Sequence, residues 1–183
     1  SIMKLKTAVA KFHGGPVRLE ESAGGESSSN GRIEEAGKTT REMLRVYKAH
    51  IEENIGQELP TDSVILQWIA RWAAMAHTRF MVQADGKTAY ERMRGRRCLM
   101  TVIPIGEVAY FIKDHKSLAN KAEARWETGI YLGHARRSNE HIIGTDKGVL
   151  KVVAVKRRAA AERWCKERIR QMKGTPAKPD PEA

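Results

Sequence analysis

Trp126-Glu127-Thr128-Gly129-Ile130-Tyr131-Leu132-Gly133 is the stretch on which the fold turns. Its two glycines are not spaced as a phosphate-binding loop. They read as points of close backbone approach within a barrel strand. Working outward, short strands are expected at 106–112, 128–134, 139–144 and 147–155. Gly106, Gly129, Gly133, Gly144 and the Asp146-Lys147-Gly148 turn punctuate them. Five or so short strands in roughly 55 residues fit a small barrel.

Upstream the period changes to helical. Ile2, Leu5, Val9 and Phe12 lie at helix spacing, and Gly14-Gly15-Pro16 stops that helix. Val17 to Glu20 alternates as a short strand, and the Gly/Ser-rich run 23–29 is a loop. Side chains of Ser27 to Asn30 can cap a helix over 31–55. Its apolar stripe is Ile33, Thr40, Leu44, Tyr47, Ile51 and Ile55; Gly56 ends it and Pro60 blocks its continuation. Thr61 or Asp62 is expected to cap a second helix. That helix buries Ile65, Trp68, Ile69, Trp72, Ala73, Ala76 and Phe80 and ends near Asp85-Gly86. Thr88 to Met93 forms a further helical turn. Beyond the strands, 157–172 reads as helix rich in Arg and Ala, and the tail 174–183, with three prolines, as disordered.

The net charge is +11, and it is unevenly placed. Residues 1–85 hold 11 basic and 11 acidic groups, whereas 86–183 hold 22 basic and 11 acidic. Such asymmetry points to a polyanion, most often nucleic acid. No apolar run approaches the roughly 20 residues that span a bilayer, so no membrane role is expected. Cys98 and Cys165 form no C-x-x-C pair, which implies a reducing, intracellular setting. The six histidines lack zinc-site spacing.

Glu34 opens the 31–55 helix, where the macrodipole favours an anion. Lys38, Arg41, Arg45 and Lys48 follow in 4-3-4-3 spacing along the same edge. A carboxylate at the head of a row of cations fits Mg²⁺- or Mn²⁺-dependent chemistry beside a phosphate backbone. An ordinary first-turn Glu on a solvated helix face has the same pattern.

Taken together, Asn30-Gly31-x-x-Glu34, Gly86-Lys87-Thr88-Ala89-Tyr90-Glu91, Gly106 to Tyr110 and Trp126 to Gly133 resemble the integrase region of copia-type retrotransposon polyproteins. The resemblance implies an α+β chain in three parts. Residues 1–98 would be the C-terminal part of a ribonuclease H-like core, 99–157 an SH3-like β-barrel, and 158–183 a basic helix and tail. It implies that Glu34 is the third carboxylate of an Asp, Asp, Glu triad holding Mg²⁺ or Mn²⁺. Lys38 and Arg41 stand where such integrases grip the element's DNA end. Arg45, Lys48, Arg96, Arg97, Arg157 and Arg158 extend the expected DNA contacts. Nuclear action in an integration complex follows from the same resemblance.

Two departures stand out. Ala89 replaces the family's proline, and residues 1–61 contain no aspartate. The family's aspartates precede the Glu, so the chain resembles a fragment cut inside the catalytic core. It is expected to lack strand transfer and to bind no metal alone. The helices of 31–82 would lose the sheet they cover in the family, and exposed apolar surface would favour self-association. Two rival readings share the residues. One is a non-catalytic nucleic-acid-binding module using Arg157, Arg158, Arg163, Arg168 and Arg170. The other is a structural or oligomerisation piece of a decayed polyprotein.

Overall fold

The computed structural model describes residues 6–7, 9–11, 31–100, 102–112, 126–135, 138 and 140–182. Residues 6–7 and 9–11 are helical, as expected there. The strand at 17–20, the loop at 23–29 and the capping group at 27–30 lie outside the described residues. Among the described residues after that segment, four α-helices, α1 (Gly31–Ile55), α2 (Val64–Phe80), α3 (Ala89–Arg94) and α4 (Lys166–Gln171), combine with five strands into a mixed α+β fold. The strands are β1 (Val108–Ile112), β2 (Trp126–His134), β3 (His141–Gly144), β4 (Val149–Val152) and β5 (Val155–Arg157).

Contacts divide the chain into Ser1–Lys38 and Thr39–Ala183, so the division falls inside α1. In the smaller unit, Ile33, Glu34 and Lys38 are exposed. In the larger, Ile51 is fully buried, and Leu44, Tyr47 and Ile55 pack beside it.

Local chemistry sets where the helices stop. Gly56 takes a φ of +66°, which closes α1. Pro60 to Ser63 then make a turn in which the Ser63 N–H donates to the Pro60 carbonyl (3.0 Å). The α2 N-cap is therefore Ser63, one or two residues beyond the expected Thr61 or Asp62. At its far end α2 stops at Phe80 and does not reach Asp85. Val82 bridges to Thr88, and the Gln83 N–H donates to the Lys87 carbonyl (3.0 Å), so a tight turn takes the place of the last helical turn. Thr88 and Glu91 form a reciprocal capping box that starts α3.

The sheet is antiparallel throughout, in the order β4-β3-β2-β1-β5. If it were flat, its edge strands would stand about 19 Å apart, four spacings of roughly 4.8 Å. Only Val153 and Ala154 separate β4 from β5. Three peptide units from Val152 to Val155 reach at most about 11 Å. The sheet must therefore curl until its edges approach, although its hydrogen bonding remains open. The segment 147–155, expected as one strand, breaks at this crossing. Leu132 is the extra residue of a bulge between Tyr131 and Gly133, where Gly133 takes a φ of +125°. A Cβ on Gly129 would lie 2.9 Å from the Gly144 carbonyl oxygen and against Ile143, which is the close approach its sequence implied.

One core unites helices and sheet. Ile65, Trp68, Ile69 and Trp72 of α2 join Phe111, Ile130, Tyr131 and Ile143 of the sheet. The Trp72 and Tyr131 rings meet edge-on, with centroids 6.1 Å apart. The expectation that the second helix would be left bare is corrected: the curled sheet covers it.

Two further expectations change. Residues 157–172 are not a continuous helix; a 3₁₀ turn at Ala160–Glu162 precedes α4. The Val108 N–H takes the Arg163 carbonyl (2.6 Å), so that carbonyl cannot serve a helix. Nor is the tail disordered. The Trp68 indole donates to the Gly174 carbonyl (2.9 Å), and the Val149 N–H to the Pro179 carbonyl (3.0 Å). Backbone pairing holds 174–182 where composition alone implied none.

Candidate nucleic-acid interface

The structure sorts the sequence-identified cations into free and committed ones. Arg41 and Arg45 are exposed on α1, as is Lys38 in the smaller unit. Lys48 is committed: its ammonium pairs with Glu52, whose same oxygen accepts the Leu59 N–H (2.6 Å). Those two hydrogen bonds, Lys48 first, hold the Glu52 carboxyl below its usual range.

Arg157 is committed too. Its Nε and Nη2 reach both oxygens of Glu107 at 2.9 and 2.5 Å. Glu107 is only 3% exposed, so Arg157 neutralises a buried carboxylate. Arg157→Ala should cost about 2 kcal/mol. That is less than the roughly 3–5 kcal/mol of a fully buried pair, because the guanidinium keeps water access. The melting temperature should fall by about 4–8 °C, and adding Glu107→Gln should restore part of it. Arg158 lies over the Tyr110 ring (5.2 Å) and pairs with Glu162 (2.9 Å).

Arg96 and Arg97 are exposed in a cleft with Arg79 and Arg94. It adjoins a second cleft that also holds Arg71; both share Arg79, Tyr90 and Arg94. The first follows the Gly95-Arg96-Arg97 turn, where Gly95 closes α3 at a φ of +68°. Among the described residues, no Asp or Glu lines either cleft. Among the described residues, Arg94 and Arg96 form no ion pair, whereas Arg97 reaches Glu91 (3.1 Å) and stays 83% exposed. Arg79 lies over the Tyr90 ring at 5.7 Å. Of these five arginines, the sequence singles out Arg96 and Arg97 alone as candidate contacts. Arg71, Met75 and Arg79 recur every four residues along α2, the one signal that could have placed two of these arginines on a common edge.

Glu34 lies in the first turn of α1 and is exposed. Among the described residues, no three His, Cys, Asp or Glu side chains form a group that could hold a metal. Asp85 is occupied otherwise: the Arg92 guanidinium and the Lys87 N–H bring its carboxyl down to about 2. Cys98 and Cys165 are free thiols. Among the described residues no helix is long and apolar enough to cross a membrane.

Behind the second cleft, His134 and His141 face each other across β2 and β3, ring centroids 4.4 Å apart, beside Tyr131. Burial lowers the His141 imidazole from its ordinary value and raises the Tyr131 phenol. The unfolded chain takes up a proton on His141 near pH ~6.5, whereas the folded chain resists it to lower pH. Stability is therefore complete above ~6.5 and is lost as pH falls from there toward the depressed value. A denaturant midpoint should drop between pH 7.5 and 5.5, above the carboxylate range, and His141→Phe should reduce that drop.

Compared with protein-family models, with curated proteins and with solved structures, the chain matches none.

Proposed function

We propose that this chain is the nucleic-acid-binding part of a copia-like integrase and holds DNA during integration. The observation that carries the DNA-binding reading is the pair of adjoining clefts whose described lining bears five arginines and no acidic side chain. Phosphate contact needs donors and positive charge without a competing carboxylate, and Arg94 and Arg96 supply it from an exposed turn. The exposed Arg41 and Arg45 add a second basic edge. The strand order and the curl of the sheet support an SH3-like barrel, and the order of motifs along the chain supports a truncated ribonuclease H-like core ahead of it.

In the intact enzyme Glu34 would hold Mg²⁺ or Mn²⁺ with aspartates contributed by the rest of that core. Strand transfer in the nucleus and multimerisation belong to that same reading. The rival module based on Arg157, Arg158, Arg163, Arg168 and Arg170 loses two of its five cations to the fold, because Glu107, Glu162 and Tyr110 already engage Arg157 and Arg158.

The test is direct binding. Residues 1–183 should bind mixed-sequence DNA with an affinity that falls steeply with salt, and should show no Mg²⁺-dependent strand joining. Salt-independent binding, or none, would sink the interface reading; joining would sink the reading of an incomplete triad.

A further inference from the structure

We propose that the two adjoining clefts form a groove for an unpaired nucleic-acid strand, with one base seated in the apolar recess between α2 and α3. The inference rests on the nucleic-acid reading above and specifies which form of nucleic acid the groove takes.

The two clefts differ in chemistry. The one along the Gly95-Arg96-Arg97 turn presents guanidiniums. Its neighbour is floored by Trp72, Met75 and Leu132, with Tyr90 and Met93 at its side. Its volume of about 580 Å³ falls within the range of small-ligand pockets. Arg71, Arg79 and Arg94 belong to the same recess.

A duplex keeps its bases stacked and offers a basic surface only phosphates, so it would leave an apolar recess empty. A single strand offers both a phosphate and an aromatic face per nucleotide. Proteins that hold single strands join a cationic track to aromatic platforms in this way. Tyr90 belongs to both clefts, so it stands where a strand would pass from phosphate contact to base contact. Met93 is 71% exposed, and its flexible thioether can fold over an inserted base of any identity. The recess therefore favours unpaired nucleotides without reading their sequence.

The test uses fluorescence anisotropy with residues 1–183, a labelled 12-nucleotide oligothymidine and a hairpin duplex of the same phosphate count, at fixed salt. The single strand should bind about tenfold tighter or more, the effect of one stacked base. Tyr90→Ala should remove most of that advantage, read as the ratio of single-strand to duplex affinity. Should Tyr90→Ala fail to fold, Met93→Ser on the exposed rim should reduce the same advantage. Equal binding of both DNAs, or variants that weaken both equally, overturns the inference while the basic interface stands. Loss of all DNA binding overturns the two together. A polyglutamate peptide that binds as tightly as the oligothymidine also overturns it, in favour of an acidic protein partner.

Discussion

Reversing Arg94 and Arg96 to glutamate is expected to lower DNA affinity about 60-fold at 0.1 M salt. Each phosphate contact contributes a salt slope of about 0.9, or roughly eightfold in affinity between 1 M and 0.1 M salt. Two lost contacts multiply to that figure and should cut the slope by about 2. The fold should survive, since both side chains are exposed and neither forms an ion pair among the described residues. The control is Lys38→Glu with Arg41→Glu on α1, which should weaken binding less. The opposite ranking, measured as salt-dependent anisotropy, would move the DNA surface to α1 and end the groove reading. Lys48 is a poor probe for this purpose: its substitution also frees Glu52, which anchors the turn after α1.

Trp68→Ala is expected to cost about 3–5 kcal/mol, the largest loss from any single substitution considered for this chain. Trp68 is 1% exposed, lies among Ile65, Ile69 and the sheet, and holds the C-terminal segment through Gly174. Its removal leaves a cavity and an unsatisfied carbonyl together. Against a usual domain stability of about 5–15 kcal/mol, much of the population would unfold on mild heating. Trp126→Ala should cost under about 1 kcal/mol, because Trp126 is 42% exposed. Thermal melts followed by circular dichroism separate the two. Similar shifts for both tryptophans would refute the single core joining α2 to the sheet.

A truncation shows why the tertiary arrangement matters to such tests. Deleting residues 1–60 looks harmless from sequence, as if it removed only a core fragment ahead of a barrel. It would remove Ile51 and Leu59, which are 0% and 6% exposed in the same core as the strands. Loss of DNA binding after that deletion would report unfolding and say nothing of where DNA binds.

Much was legible from local pattern because its causes are local. Helix α1 runs over the expected residues, since stripe spacing and Gly56 act within a few residues of each end. The close approach at Gly129 was readable for the same reason: a missing side chain marks where another backbone must come near. Helix ends at Phe80 and after Arg157 were not readable. Val82 is drawn off by Thr88, and the Arg163 carbonyl by Val108, a residue distant in sequence. Hydrogen bonds between remote segments leave no periodicity behind.

By itself, the sequence determined the class of elements, the change to short strands after residue 100, the basic excess beyond residue 85, and Arg96 and Arg97 as candidate contacts. These follow from spacing, charge and turn chemistry, which are properties of neighbours. Only the tertiary structure decided that α2 and the sheet share one core. It also decided that Lys48 and Arg157 pair with carboxylates of the fold, and that Arg71, Arg79 and Arg94 line two adjoining clefts with the exposed Arg96 and Arg97. Whether a cation is free depends on which carboxylate the folded chain brings to it, and such pairs as Glu107 with Arg157 are set by strand pairing across 50 positions.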